Sequence, residues 1–206
     1  MKTPKSYSDF TLEHLRVMFG ITNKESVLNL LQYSIEPSAW LVETLSYSRA
    51  LRINTEKARS ELLITPILME LAQQRAHTFQ CFSGNTLDVD RKQALKGRCD
   101  FLLTKHLSLD ISAPIIAIFE AKDDNIEHWY GQCGAEMLAA RIFNEQRNEP
   151  ITTIHGAVTN GRDWRFLRLE GAQLLIDNEI YSLAEIPKLL GVLHGLIDFY
   201  HTSSVF

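Results

Sequence analysis

The chain has 206 residues, 45% of them hydrophobic and 22% charged, with a formal net charge of −4 at pH 7. That length and composition suit one sizeable folded domain and exclude a disordered chain. The net negative charge argues against a protein that coats nucleic acid through a general positive field, while leaving room for local phosphate contacts.

The first sixty or so residues read as helical. Thr22 to Gln32, with Val27, Leu28, Leu30 and Leu31, predicts a short helix capped by Thr22 or Asn23. From Thr55 a longer helix is expected through Ala58, Leu62, Leu63, Ile67 and Leu71, kinked at Pro66 because proline removes an internal donor. The centre then changes to strand character. His77 to Phe82 predicts one strand before a Ser83-Gly84-Asn85 turn, and Cys99 to Thr104 a second. Ile115 to Ala121 predicts a third. If these last two pair antiparallel about a connection centred near Asp110, Asp100 lies opposite Glu120, one register among several.

A helix is expected from about Ile126 to Phe143, capped by Asp124 or Asn125, with Trp129, Cys133, Met137 and Ala140 on its apolar face. A strand from near Thr152 to Thr159 leads into the Asn160-Gly161-Arg162-Asp163 turn. WRFLRLEG then alternates like a half-exposed strand, and Leu174–Ile176 and Glu179–Ser182 read as short edge strands. Ala184 to Tyr200 has helical spacing, with Leu189, Leu190, Leu193 and Ile197 in a stripe. Helices before and after a mixed sheet predict an α/β sandwich. Residues 1–206 form one domain in this reading, with residues 1–54 as a helical N-terminal elaboration.

The run IIAIF ends abruptly in Glu120-Ala121-Lys122. A strand sends residues i and i+2 to one side, so this carboxylate and ammonium sit together on a rigid mount, about 6 to 7 Å apart along the backbone. Gly97-Arg98-Cys99-Asp100 places a second acid at the start of another apolar strand. Two acids and a lysine on adjacent strands suit a divalent cation acting on a phosphodiester. Mg²⁺ takes oxygen ligands, often a couple of carboxylates completed by waters and substrate oxygens. Asp100 and Glu120 meet that minimum, and the Ala121 backbone carbonyl can join them. Lys122 then suits electrostatic alignment of the attacking water or scissile phosphate.

This pattern resembles the PD-(D/E)XK nuclease superfamily, the restriction-endonuclease-like fold. Its acid at a strand start corresponds to Asp100, and its acid-any-lysine strand to Glu120-Ala121-Lys122; Cys99 stands where the literal motif has proline. The resemblance covers about Glu61 to Leu169. It implies a three-layer sandwich with a central mixed β-sheet flanked by helices, and metal-dependent hydrolysis of phosphodiester bonds with Mg²⁺ or Mn²⁺, in DNA ahead of RNA. It also implies roles for two further residues. Glu61 matches the glutamate of an N-terminal core helix that reaches metal directly or through water. Gln132 matches a glutamine in the helix after the lysine strand, orienting the lysine or a backbone phosphate. Glu136 stands where RecB-like members carry tyrosine, which leaves the subfamily open.

Blander readings stand beside these. Glu120 and Lys122 are alternatively an exposed strand-end ion pair of little energetic weight, and Asp100 a residue that satisfies turn amides. Glu61 is alternatively a solvated helix glutamate. The basic stretches Arg49, Arg52, Lys57, Arg59 and Arg91, Lys92, Lys96, Arg98 are either phosphate contacts or plain surface. His77, Cys81, Cys99 and His106 lack the compact spacing of a zinc site. Three widely spaced cysteines, no membrane-length apolar run and no signal-like N-terminus point to a cytoplasmic protein away from membranes. Sparse positive charge makes a homodimer or protein partner an expectation. The non-catalytic alternative is a nucleic-acid-associated interaction domain of the same fold without turnover.

Overall fold

In the computed structural model, which describes residues 2–31, 33–122 and 125–202, the apolar run at Ile115 becomes the middle of an eight-stranded mixed sheet. The strands are β1 (Thr22–Ser26), β2 (Gln80–Ser83), β3 (Phe101–Thr104), β4 (Ile115–Ala121), β5 (Thr153–Thr159), β6 (Asp163–Glu170), β7 (Gln173–Asp177) and β8 (Tyr181–Ser182). Their order is β1-β7-β6-β5-β4-β3-β2, with β8 paired to β6. The pairs β4–β5 and β1–β7 are parallel, and the other pairs are antiparallel.

Helices α1 (Leu12–Phe19) and α5 (Tyr130–Gln146) cover one face. Helices α2 (Ala39–Ser48), α3 (Glu56–Arg59), α4 (Thr65–Gln74) and α6 (Ile186–Thr202) accompany the other. The result is a three-layer α/β sandwich. Strand alternation sorts the core: Ala117, Phe119 and Ala121 join the α2–α4–α6 side, while Ile118 joins the α5 side. β4 is buried along its whole length, as a central strand covered on both faces must be. Each Ile or Phe buried there contributes roughly 1.5–3 kcal/mol.

Several expected elements change. Thr22 begins strand β1, not a helix; β1 pairs with β7 at the sheet edge, and its exposed TNKES sequence suits an edge. The first 54 residues therefore give a strand to the same sheet as well as helices. β7 is consequently interior to β1 and no edge strand. β6 is largely buried on both faces, where alternation had predicted half exposure; its Arg165 guanidinium finds the Tyr130 hydroxyl and the Asn178 carbonyl. The strand expected from His77 begins at Gln80, after His77 adopts a left-handed backbone with φ of 65°. Pro66 does not kink the helical run. It sits in the first turn of α4, and the irregularity lies before it, where Ser60–Ile64 form a π-helical turn. Asn125 caps the helical segment into α5 through its Oδ1, which accepts from the Glu127 amide at 3.1 Å; Asp124 lies outside the described residues. Among the described residues no helix is long and apolar enough to cross a membrane.

Candidate active site

Register decides what meets at the end of β4. Phe101 pairs with Phe119 and Leu102 with Ile118, so extending the ladder by one residue sets Asp100 opposite Glu120. The approach is direct: Asp100 Oδ2 accepts the Ala121 amide hydrogen at 2.8 Å. Asp100 thus satisfies a backbone amide, but that of the neighbouring strand β4 rather than of a turn. Asp100 is half-buried and lines a cleft at this end of the sheet.

Glu120 has the strand parity of Ile118 and points to the α5 side. Its Oε2 lies 3.0 Å from Lys122 Nζ. The two form the ion pair that i, i+2 spacing predicts, but in the interior: Glu120 is 1% and Lys122 7% exposed. The Lys122 ammonium also stands 4.5 Å from the centre of the Trp129 ring, a cation–π contact. The Lys122 amide donates to the Thr159 carbonyl at 2.8 Å, tying the lysine to the end of β5.

α5 supplies Gln132, 5% exposed, and Glu136, fully buried. Gln132 Nε2 donates to Glu136 Oε1 at 3.0 Å, and the Glu136 carboxyl is close enough to Glu120 for each to perturb the other. The line Lys122–Glu120–Glu136–Gln132 therefore crosses from sheet to helix without a break. It is possible because α5 lies close to the sheet at Gly156 of β5, where a Cβ would stand 2.5 Å from Met137 Sδ and 3.0 Å from Cys133 Sγ.

Burial, the negative charge and hydrogen bond of Glu136, and the charge of Asp100 push the Glu120 carboxyl well above its ordinary range, against the pull of Lys122. Burial raises Glu136 to about 7, while hydrogen bonds from Glu120 and Gln132 restrain the rise. Lys122 stays charged: burial opposes its ammonium, but Glu120, Glu56 and Asp100 together raise it. Burial thus favours the protonated carboxyls beside one ammonium, which reduces the charge the interior must hold.

Glu61 takes a different place. It lies on the π-helical turn, exposed where Leu63 and Ile64 are buried, and pairs with Lys57 at 3.7 Å in solvent. It lines a cleft of about 430 Å³ together with Asp100, Glu56, Lys57 and Arg98. Glu61 thus shares the cleft with Asp100 but is not joined to the Lys122–Gln132 line. The acid of this helical run whose field reaches Lys122 is Glu56. Sequence reasoning missed Glu56, which precedes the π-helical turn, and treated Glu136 only as a missing tyrosine. Helical i, i+4 spacing from Gln132 was the available signal for Glu136.

Whether these residues suit a metal can be tested on the donors themselves. Among the described residues no group of three or more His, Cys, Asp or Glu side chains gathers as a ready metal cage. The buried Glu136 Oε2 and Gln132 Oε1 atoms have no hydrogen-bond donor, while Glu120 Oε2 faces the Lys122 ammonium at 3.0 Å. This donor set fits a hard cation held by two carboxylates and completed by water and substrate oxygen, and does not fit an all-protein cage. Comparison of the chain with models of known protein families finds no match, and comparison with curated proteins finds none.

Proposed function

We propose that this protein is a metal-dependent nuclease hydrolysing phosphodiester bonds, with DNA as the preferred substrate, built as the PD-(D/E)XK pattern of its residues implies. The observation that carries the reading is the convergence of Asp100, Glu120 and Lys122 at the ends of paired strands, backed by Gln132 from the covering helix. Composition alone would not produce that convergence from segments so far apart in sequence.

Asp100 and Glu120 would hold Mg²⁺ or Mn²⁺, with the Ala121 carbonyl as a backbone ligand and Glu61 reaching it through water from across the cleft. The cation supplies charge neutralisation at phosphorus and a more acidic bound water. Lys122 orients the water or the scissile phosphate as a fixed positive charge, since its neighbours keep it protonated. Gln132 and Glu136 set the position of Glu120 from behind. Lys57 and Arg98, one from each basic stretch, bring positive charge to the cleft that contains Asp100, where a phosphate backbone needs it.

One observation favours a second reading, a nucleic-acid-associated domain without turnover. Glu120 is almost wholly enclosed and already satisfied by Lys122 and Glu136. The two readings part on one experiment. Wild type and Lys122→Ala are incubated with single- and double-stranded DNA and RNA in Mg²⁺ or Mn²⁺. Cleavage by wild type that the variant lacks supports the nuclease. Binding without cleavage in either protein supports the second reading, and equal cleavage by both rejects the role of Lys122.

A further inference from the structure

On the sheet face away from α5, the end of α2, the segment after it, the π-helical turn and the start of α6 enclose a hollow of about 350 Å³. Its walls are mainly aliphatic, including Leu45, Ile53, Leu63 and Ile186. The size and lining match those of small-molecule sites, which combine apolar walls with a few placed polar groups. Here the polar groups are Ser48, Ser182 and two arginines, so the charged ones carry one sign. Arg49, just after α2, and Arg162, in the β5–β6 turn, both stand at the hollow and are exposed. Among the described residues neither guanidinium has a carboxylate partner, whereas Arg16, Arg75 and Arg91 are each paired with an acid.

A water-filled surface hollow needs no aliphatic walls, and a packing defect needs no pair of unpartnered guanidinium groups. Together they suit a ligand with an apolar body and an anionic end. Arginine recognises a carboxylate, sulfonate or phosphate through parallel N–H donors, and the aliphatic walls exclude the water that would weaken that contact. We propose that this hollow binds a small organic anion, its apolar part against Leu45, Ile53, Leu63 and Ile186 and its charged group on Arg49 and Arg162. The site is separate from the Asp100 cleft, and the inference does not depend on nuclease activity. The two are nonetheless mechanically close: Arg162 belongs to the turn that follows Thr159, whose carbonyl holds the Lys122 amide, and Arg59 donates to the Asn160 carbonyl at 3.2 Å.

The test uses two fluorescent probes of similar shape, anionic 1-anilinonaphthalene-8-sulfonate and neutral N-phenyl-1-naphthylamine, titrated into the full chain. The anionic probe is expected to bind saturably at one site. In Arg49→Gln/Arg162→Gln its affinity falls roughly tenfold or more, the loss of a charge-assisted contact, while that of the neutral probe changes far less. Ile53→Trp, which fills the hollow, removes binding of both probes. Absence of saturable binding overturns the proposal. So does equal affinity for the anionic probe in the double-arginine variant, or unchanged binding after the hollow is filled.

Discussion

The carboxyl of Glu120 at the end of β4 faces that of Glu136 on α5 across the boundary between sheet and helix, and burial favours a proton on each. That preference is a folded-state property. Burial raises Glu136 to about 7 from an ordinary value of 4.5, so the native state retains a proton that the unfolded chain releases. Stability from this group is present below the unfolded value and is lost as pH rises through the folded one. Glu136→Gln keeps the oxygen that receives the Gln132 amide but cannot ionise. Urea unfolding should show the variant gaining on wild type between pH 5 and pH 8, by at most on the order of 3 kcal/mol. An equal offset at both pH values would remove the raised Glu136 carboxyl from the account.

A cation held by Asp100 and Glu120 must displace the proton that burial favours on Glu120, because only the carboxylate form is a ligand. Mn²⁺ binding should therefore tighten as pH rises and release protons to the buffer. Calorimetric titration in two buffers of different ionisation enthalpy measures the number released. Asp100→Asn should weaken Mn²⁺ binding while leaving the melting temperature nearly unchanged, since Asn retains an oxygen for the Ala121 amide. Binding that ignores both pH and Asp100 would place the cation elsewhere.

Arg98 lies over Gly84, where a Cβ would come 2.3 Å from its Nη2, and Gly84 also has a left-handed φ of 69°. Glycine therefore allows Arg98 to fold back across the cleft beside Asp100. If Arg98 contacts one backbone phosphate, Arg98→Gln should weaken DNA binding about equally for all sequences. The slope of log affinity against log salt should fall by about one unit. Fluorescence anisotropy at several salt concentrations reads both quantities, and an unchanged slope would return Arg98 to the plain surface.

The sequence made the centre of the sheet legible because a fully buried strand and its polar end contrast sharply in IIAIFEAK. It also made the Asp100–Glu120 register calculable, since an antiparallel ladder conserves the sum of paired positions. The outer sheet was harder to read. Thr22–Ser26 carries no apolar alternation because β1 is an exposed edge, so the leucines that follow it suggested a helix. Glu136 was hidden for another reason. A buried carboxyl amid apolar helix residues makes sense only once Gln132 and Glu120 are seen around it, and their contact depends on how closely α5 approaches β5. The π-helical turn likewise changes which side of the helix Glu61 presents, a shift of register that no helical periodicity anticipates.

That close approach can be tested at Gly156, whose missing side chain leaves room for Met137 and Cys133. Gly156→Ala forces the sulfur atoms back or lifts α5 from the sheet, an overpacking cost of about 1–3 kcal/mol. Gln132 and Glu136 lie within a turn of the displaced residues, so the hydrogen-bonded line to Glu120 should loosen as well. Two consequences follow and are separable: a lower unfolding midpoint, and loss of the pH-dependent stability assigned to Glu136 even where the fold is intact. Pairing Gly156→Ala with Met137→Ala, which vacates the nearer contact, should restore part of the pH dependence although the fold loses further core packing. If the double variant is less stable and its pH profile stays flat, the distance between α5 and β5 is not what holds Glu136 against Glu120.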